Sequence, residues 1–138
     1  MFLFLILRSL LVIKNYLSGL FSSCMTFADL NLNTPLLNAL NDLGYNTPTT
    51  IQYRVFPVVM SGRDVCGIAQ TGTGKTAAFL LPVMNRLLEN HVDGQVGALI
   101  IVPTRELAIQ ISQHMEGLSY FSHLSSIAIY GGNDAQSF

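Results

Sequence analysis

The sequence predicts an α/β fold in which short helices precede a parallel β-sheet. Three observations predict it: an apolar run at 64–69 leads through a glycine-rich turn into a helix, and the apolar runs at 98–102 and 126–130 each follow a helical segment. Strands that alternate with helices in this way are typical of parallel sheets with right-handed crossovers. With 138 residues, half of them hydrophobic, the chain can bury the core of one domain at most.

Residues 1–24 differ in composition from the rest of the chain. Residues 1–7 are wholly apolar, but Arg8 and Lys14 interrupt the segment too early for a membrane span, which needs ~20 apolar residues. No positive charge precedes the apolar run, as it does in a secretory signal. Two interpretations stay open: upstream sequence included through a mistaken start, with translation beginning at Met25, or a real membrane-associating helix. We expect the first, and no stable membrane association.

Two helical regions are predicted before the first strand. The threonine–proline pair at 34–35 suits a helix start, and Gly44 suits its end. The pair at 47–48 repeats the start signal. Pro57 is expected to break this region into two short helices, the second of which ends at Gly62.

The segment at 69–76 is predicted to bind phosphate. A strand, a glycine-rich turn and a helix that begins with Lys-Thr together make a phosphate-binding loop, in which backbone N–H groups and the helix N-terminus face one anion. Lys75 would reach the β- and γ-phosphates, and the Thr76 hydroxyl would bind Mg²⁺. The alternative is a plain turn with an exposed lysine. The residues of the loop are Ala69, Gln70, Thr71, Gly72, Thr73, Gly74, Lys75 and Thr76.

A helix is predicted to follow this loop, from about Thr76 to Asn90, with a kink at Pro82. The run at 98–102 contains no polar residue, which is typical of a parallel strand that is covered on both faces. We therefore expect this run to lie inside the sheet.

The last part of the chain is predicted to contain one more helix and one more strand. Thr104 is expected to cap the helix, and a third strand is expected at 126–130. The apolar stripe of that helix would consist of Leu107, Ile111, Met115 and Leu118.

Charge, cysteine and histidine usage exclude several other classes of site. The net charge is −1, and no basic tail or stripe marks a nucleic-acid surface. Cys24 and Cys66 form neither a disulfide framework nor a metal-binding spacing. His91, His114 and His123 lack ligand spacing as well, so we expect them to have no catalytic role.

Four segments, taken in order, resemble the conserved motifs of bacterial-type DEAD-box RNA helicases. The first resembles the Q motif and follows an isolated aromatic residue by 17 positions, as in that family. The second is a phosphate loop that begins with alanine, which is usual there. Pro-Thr-Arg-Glu-Leu-Ala resembles motif Ia, and a glycine pair resembles the double-glycine motif. These segments are 44–52, 69–76, 103–108 and 131–132, with Phe27 as the aromatic residue.

The resemblance implies an incomplete RecA-like phosphate-loop domain that follows a helical Q-motif region. It divides the chain into an apolar leader at 1–24, a Q-motif region at 25–53 and a truncated ATP-binding domain at 54–138. It implies ATP and Mg²⁺ as cofactors, RNA as the partner, ATP hydrolysis as the family's reaction and a cytoplasmic location.

The resemblance also suggests how the adenine would be recognised. The side-chain amide of Gln52 can pair with the N6 amino group and N7 of adenine together, whereas guanine shows two acceptors there. Phe27 and Tyr45 would pack near the face of the base. Taken by itself, Gln52 could equally be a polar residue on an exposed helix face.

The RNA contacts implied by the family lie in the later motifs. Thr104 and Arg105 would bind RNA phosphates at a helix N-terminus, independently of base sequence. Gly131 and Gly132 would let the RNA backbone approach closely, and a plain tight turn is their alternative.

Several parts of the family's machinery have no counterpart in this sequence. The Asp-Glu-Ala-Asp box and the second RecA-like domain with its arginine fingers are missing. We therefore expect an N-terminal fragment that neither hydrolyses ATP nor unwinds RNA, and whose strand at 64–69 has an unpaired edge. Two alternatives stay open: a non-catalytic nucleotide- or RNA-binding interaction module, and a membrane-tethered fragment that uses residues 1–24.

Overall fold

The computed structural model describes residues 4–6, 25–90, 92 and 94–131, and within these it contains four α-helices, one 3-10 helix and two short strands. The 3-10 helix Phe27–Leu30 precedes the α-helices. The α-helices and strands are β1 (Phe4–Ile6), α1 (Thr34–Asp42), α2 (Thr50–Met60), β2 (Val65–Gly67), α3 (Lys75–Glu89) and α4 (Arg105–Ser119).

The larger of two apolar clusters holds α1, α3 and α4 together with the 3-10 helix. Its most buried side chains are Leu36, Leu40, Leu80, Leu81 and Met84. The smaller cluster joins α2 and β2 to the first turn of α3, and consists of Val55, Val59, Val65 and Ala78. Burying each large aliphatic side chain contributes ~1.5–3 kcal/mol. Because β2 and α3 both have residues in these clusters, both ends of the glycine-rich loop at 69–76 are attached to packed elements.

The first two α-helices begin at other residues than expected. The cap of α1 is Asn33 rather than Thr34, although proline does occupy its first turn, and Gly44 follows the helix with a φ of +74° as predicted. The start predicted at 47–48 is wrong, because α2 is capped by Thr49. Thr49 and Gln52 form a capping box, which supplies two hydrogen bonds to the backbone of the first turn.

The expected break at Pro57 is also wrong, because α2 runs continuously through it. A proline inside a helix removes one N–H donor but leaves the flanking turns intact where packing holds them. Phe56 belongs to the larger cluster, and Val55 and Val59 belong to the smaller one. Buried side chains therefore hold the helix both before and after this proline.

The parallel sheet predicted from the sequence is not present among the residues that the structure describes. Only 65–67 of the run at 64–69 forms a strand, and β2 pairs antiparallel with β1, Leu5 opposite Cys66. β1 covers one edge of β2, and within the described residues no strand pairs with its other edge.

The runs at 98–102 and 126–130 are not strands in the described chain. Ile100 and Val102 pack on the larger cluster, whereas Leu99 and Ile101 are 80% and 85% exposed. An apolar run is buried on both faces only where a layer covers each face. Here one face alone is covered, which is why the prediction of a doubly covered strand is wrong.

The predictions about membrane association concern residues 1–24, most of which the structure does not describe. Residues 1–3 and 7–24, with Cys24 among them, lie outside the described range. Within that range, no helix has the length and apolar character that a membrane crossing requires.

Candidate nucleotide and nucleic-acid site

The loop at 69–76, which is named the phosphate loop after the role predicted for it, connects β2 to α3 through two glycines in the left-handed region. Gly72 has a φ of +80° and Gly74 a φ of +82°, a region that side chains with a Cβ rarely adopt. Gly74 caps α3, so that Lys75 and Thr76 form the first turn of the helix. The predicted order of strand, glycine-rich loop and helix is thus present, with the helix beginning at Lys75.

The loop is closed on itself by the Lys75 side chain. Its Nζ donates to the carbonyl oxygens of Ala69 at 2.6 Å and Gln70 at 2.5 Å. The Thr73 hydroxyl donates to the Gln70 carbonyl at 2.8 Å as well. A bound anion would have to draw the ammonium group away from these carbonyls, so Lys75 is available to a phosphate only after such an exchange.

Gln52 joins α2 to the phosphate loop. Its Oε1 accepts from the backbone N–H of Thr49 at 2.9 Å, and its Nε2 donates to the Gly74 carbonyl at 3.2 Å. The side chain is 3% exposed, so the interpretation as a polar residue on an exposed helix face is wrong. Each amide oxygen has a second lone pair and each amide nitrogen a second N–H, so both atoms retain capacity for a base.

Thr49 provides a second link between the same two elements. Its hydroxyl donates to the Thr73 carbonyl at 3.0 Å. Thr49 lies in the segment at 44–52 but was given no role of its own, although the pattern Thr-x-x-Gln at 49–52 is the signature of a capping box. The first turn of α2 and the last turn of the loop are therefore held together by two hydrogen bonds.

A cavity of about 720 Å³ lies between the phosphate loop and α4, within the range of ~300–1,000 Å³ that is common for small-molecule sites. Gln52 and Tyr45 lie on its wall together with the loop. The loop contributes Thr71, Gly72, Gly74, Lys75 and Thr76. The lining residues of α4 are both apolar and polar: Leu107, Ile111 and Leu118 with Gln110, Gln113 and His114. The cavity thus has a polar wall at the loop and a mixed wall at α4.

The two aromatic residues predicted to face adenine occupy different places. Their rings meet edge to face with centroids 6.4 Å apart. Tyr45 lines the cavity and is 39% exposed, whereas Phe27 belongs to the buried core and not to the cavity wall. Tyr45 is therefore the ring that a ligand can reach, and Phe27 packs beneath it.

The turn that carries Phe27 depends on a carboxylate. Asp29 Oδ2 accepts from the backbone N–H of Thr26 at 2.7 Å and from its hydroxyl at 2.9 Å. The backbone hydrogen bond, followed by the hydroxyl bond, lowers the pKa of Asp29 below its ordinary value. The charged form of Asp29 thus stabilises the capping box in front of Phe27.

A second group of predicted residues comes together at the N-terminus of α4. The Thr104 hydroxyl accepts from the backbone N–H of Leu107 at 3.3 Å, as the predicted cap requires. The guanidinium carbon of Arg105 lies 4.5 Å from the ring centroid of Tyr130, directly before Gly131. Gly132 lies outside the described residues. Tyr130 was not predicted as a site residue. The only indication of such a role in the sequence is its position directly before the glycine pair.

The described residues contain few candidates for metal binding. They include no group of three histidine, cysteine or acidic residues that would hold a metal ion. Thr76 lies on the cavity wall in the first turn of α3, where a hydroxyl can be one ligand of a nucleotide-bound Mg²⁺.

Comparison with known proteins identifies the family. The family model for DEAD/DEAH box helicases matches residues 49–137. The chain is 48% identical over 108 residues to the ATP-dependent RNA helicase DeaD of Escherichia coli K12, covering 78% of this chain and 17% of that protein. It is 47% identical over 114 residues to the probable ATP-dependent RNA helicase ddx27 of Dictyostelium discoideum, covering 80% and 15%.

Solved structures agree with the sequence comparisons. The RNA helicase Prp28 of Chaetomium thermophilum, crystallised with ADP, is similar with a TM-score of 0.71 at 36% identity, over 85% of this chain and 30% of that one. A DEAD-box protein of Methanococcus jannaschii is similar with a TM-score of 0.63 at 34% identity, over 80% and 30%. The chain spans less than a third of the length of each of these relatives, of which DeaD, ddx27 and Prp28 are named RNA helicases. The chain belongs to the DEAD/DEAH box helicase family.

Proposed function

We propose that this chain supplies the ATP-binding part and some of the RNA-binding part of an ATP-dependent RNA helicase. The observation that carries the proposal is that one cavity is lined both by the phosphate loop and by Gln52, so that phosphates and a base have candidate partners in the same space. In this proposal 25–53 is the Q-motif region and 54–138 belongs to a RecA-like domain. The two regions share α2, because the boundary falls inside that helix.

The residues around the cavity have separate roles in this proposal. Gln52 pairs with adenine while Tyr45 packs beside the base. Lys75 exchanges its two loop carbonyls for phosphate oxygens. The exchange is favourable because the ammonium group then donates to charged acceptors and not to neutral ones. Mg²⁺ would neutralise phosphate charge, with Thr76 as a ligand beside phosphate oxygens and water.

The RNA would contact the N-terminus of α4. Thr104 and Arg105 lie there beside Tyr130 and Gly131, and a helix N-terminus with a guanidinium group suits a phosphate. Contacts of this kind would not depend on base sequence. We extend the proposal to Gly132 on the resemblance alone.

We further propose that the 138-residue chain binds nucleotide without hydrolysing it at a useful rate, and that it acts in the cytoplasm. The sequence has no Asp-Glu-Ala-Asp box to hold the metal and orient water. Loss of a single arginine finger already costs ~10³–10⁵ in rate in phosphoryl-transfer enzymes. A module that binds nucleotide but acts through a protein or RNA partner is the second candidate.

Titration with a fluorescent ATP analogue in the presence of Mg²⁺ tests the nucleotide proposal. We expect saturable binding by the unaltered chain and its loss in Lys75→Ala. Arg63→Ala is the control, because it also removes one positive charge but from an exposed loop outside the cavity wall. Equal binding by Lys75→Ala and Arg63→Ala would refute the assignment of Lys75 to phosphate.

A further inference from the structure

We propose that Tyr130 is a positioning residue for RNA binding, which holds the guanidinium group of Arg105 with its donors directed to an RNA phosphate. The inference rests on the proposed RNA contact of Arg105 and adds a residue to it. Its basis is the position of the guanidinium carbon of Arg105 over the Tyr130 ring, 4.5 Å from the ring centroid.

Contact with the ring leaves Arg105 its hydrogen-bond donors. The attraction between a guanidinium carbon and an aromatic face is electrostatic, and the group has five N–H donors with which it can still bind a phosphate. Arg105 is exposed and Tyr130 is half-buried, so the ring is the more fixed partner. Within the part of the chain that the structure describes, the side-chain contact recorded for Arg105 is with the Tyr130 ring and not with a carboxylate.

A second contact fixes the register of the segment that carries Tyr130. The hydroxyl of Ser126 lies 3.3 Å from that of Ser112 on α4. From there the segment reaches Tyr130 after four residues, or ~13 Å of extended chain. Along α4, Ser112 and Arg105 are seven residues apart, or ~10 Å of helix. The two lengths agree, so the segment runs back along α4 towards its N-terminus.

This course explains why the two predicted RNA motifs meet. Gly131 follows Tyr130 and therefore arrives at the helix end that bears Thr104 and Arg105. The contact that the structure shows between these two parts of the chain is the one between the Tyr130 ring and the guanidinium group of Arg105. An arginine restrained by a ring loses less freedom when it binds a phosphate in a two-pronged geometry, so the ring should increase RNA affinity.

A double-mutant cycle on the 138-residue chain tests the inference. The variants are Tyr130→Leu, Arg105→Ala and their combination, with Tyr130→Phe as the matched control that keeps the ring. The probe is a short fluorescein-labelled oligouridylate. Since an exposed cation–π contact corresponds to a ~2–5-fold change in affinity, we expect Tyr130→Leu to weaken binding by that factor and Tyr130→Phe to leave it unchanged. In the Arg105→Ala background, Tyr130→Leu should cause no further loss.

A spectroscopic readout reports the contact without RNA. The Nε–H signal of Arg105 in NMR spectra should be shifted by the ring current, retained in Tyr130→Phe and moved in Tyr130→Leu. An unmoved Arg105 signal would overturn the inference, as would an equal loss of affinity from Tyr130→Leu with or without Arg105.

The outcomes also separate this inference from the proposed function. If the unaltered chain does not bind the oligouridylate, the proposed RNA contact fails and the inference fails with it. If the chain binds and Arg105→Ala weakens binding but the cycle shows no coupling, the RNA contact stands and only the role of Tyr130 is refuted.

Discussion

The Gln52 side chain donates to the Gly74 carbonyl across 3.2 Å, so the residue proposed to bind adenine also holds the cap of the phosphate-loop helix. The same side chain completes the capping box of α2 through Thr49. Base recognition and loop geometry therefore share one amide group. A change at Gln52 should affect both, even where the substituted residue touches only one of them.

The first prediction concerns the close approach of Gln52 to Gly74. A Cβ on Gly74 would lie 2.5 Å from Gln52 Nε2, whereas a Cβ on Gly72 meets nothing within 4 Å. Both glycines have similar positive φ values, so alanine at either position costs ~1–2 kcal/mol for its backbone alone. We expect Gly74→Ala to lower the free energy of unfolding by more than Gly72→Ala does, as measured by denaturant titration.

The control for this prediction removes the obstructing side chain. In a Gln52→Ala background, the extra cost of Gly74→Ala over Gly72→Ala should largely disappear, because the two residues in contact are then no longer coupled. An undiminished difference would mean that Gln52 is not what excludes a side chain at Gly74.

The second prediction concerns Asn85, which is fully buried on α3. Its Oδ1 accepts from the backbone N–H of Asn33 at 2.7 Å, which ties the cap of α1 to α3, and its Nδ2 donates to Glu89. Asn85→Ala leaves that N–H without its partner, at a cost of ~1–3 kcal/mol. Chemical unfolding should show this loss. Asn38→Ala, an exposed position on α1, should change stability by much less, and equal effects would contradict the assignment.

The third prediction follows from the lowered pKa of Asp29. Because its pKa is lower in the folded chain than in the unfolded chain, the unfolded chain binds more protons between the two values. The stabilisation by Asp29 is therefore complete above the unfolded pKa and is lost as the pH falls through the folded pKa. An NMR titration of the Asp29 carboxyl should show the depressed pKa, and acidification should loosen the packing of Phe27 on Tyr45.

Thr26→Ala provides the test of the cause. It removes the hydroxyl donor but keeps the backbone N–H donor, so the pKa of Asp29 should rise only part of the way to its ordinary value. A full return to that value would mean that the backbone bond contributes nothing.

The fourth prediction concerns the uncovered face of the run at 98–102. Ile101 is 85% exposed while its neighbour Ile100 packs on the core. Exposed apolar residues on extended chain promote association. We expect Ile101→Thr to reduce light scattering by the purified chain with little effect on stability, whereas Ile100→Thr should destabilise the fold. Similar behaviour of the two variants would contradict the alternating exposure.

Local patterns of the sequence were sufficient to predict the glycine-rich turn at 69–76 and the helix that follows it. Positive-φ glycines and the hydroxyl cap of Thr104 act over a few residues, so their structural effect can be recognised in the sequence. The Thr-Pro pair at 47–48 predicts the wrong start for α2, because the capping box of Thr49 and Gln52, which the prediction did not consider, places the start after Thr49. That box is defined by a threonine and a glutamine three residues apart, so the sequence alone contains the information needed to predict it.

The sheet and the contact of Arg105 with Tyr130 could not be predicted in the same way. An apolar run indicates that a segment suits a strand, but pairing depends on which backbone lies beside it. For 65–67 that neighbour is β1, from a part of the chain where no strand was predicted. The meeting of Arg105 with Tyr130 likewise depends on the course of 126–130 along α4, which no local signal specifies.

The most direct test of the account is the relative affinity of the chain for ATP and GTP, measured by titration calorimetry for the unaltered chain and for Gln52→Ala. If Gln52 pairs with adenine at N6 and N7, the unaltered chain binds ATP more tightly than GTP, and this preference is lost in the variant. If ATP and GTP bind equally to the unaltered chain, or if the preference survives in Gln52→Ala, Gln52 does not recognise the base.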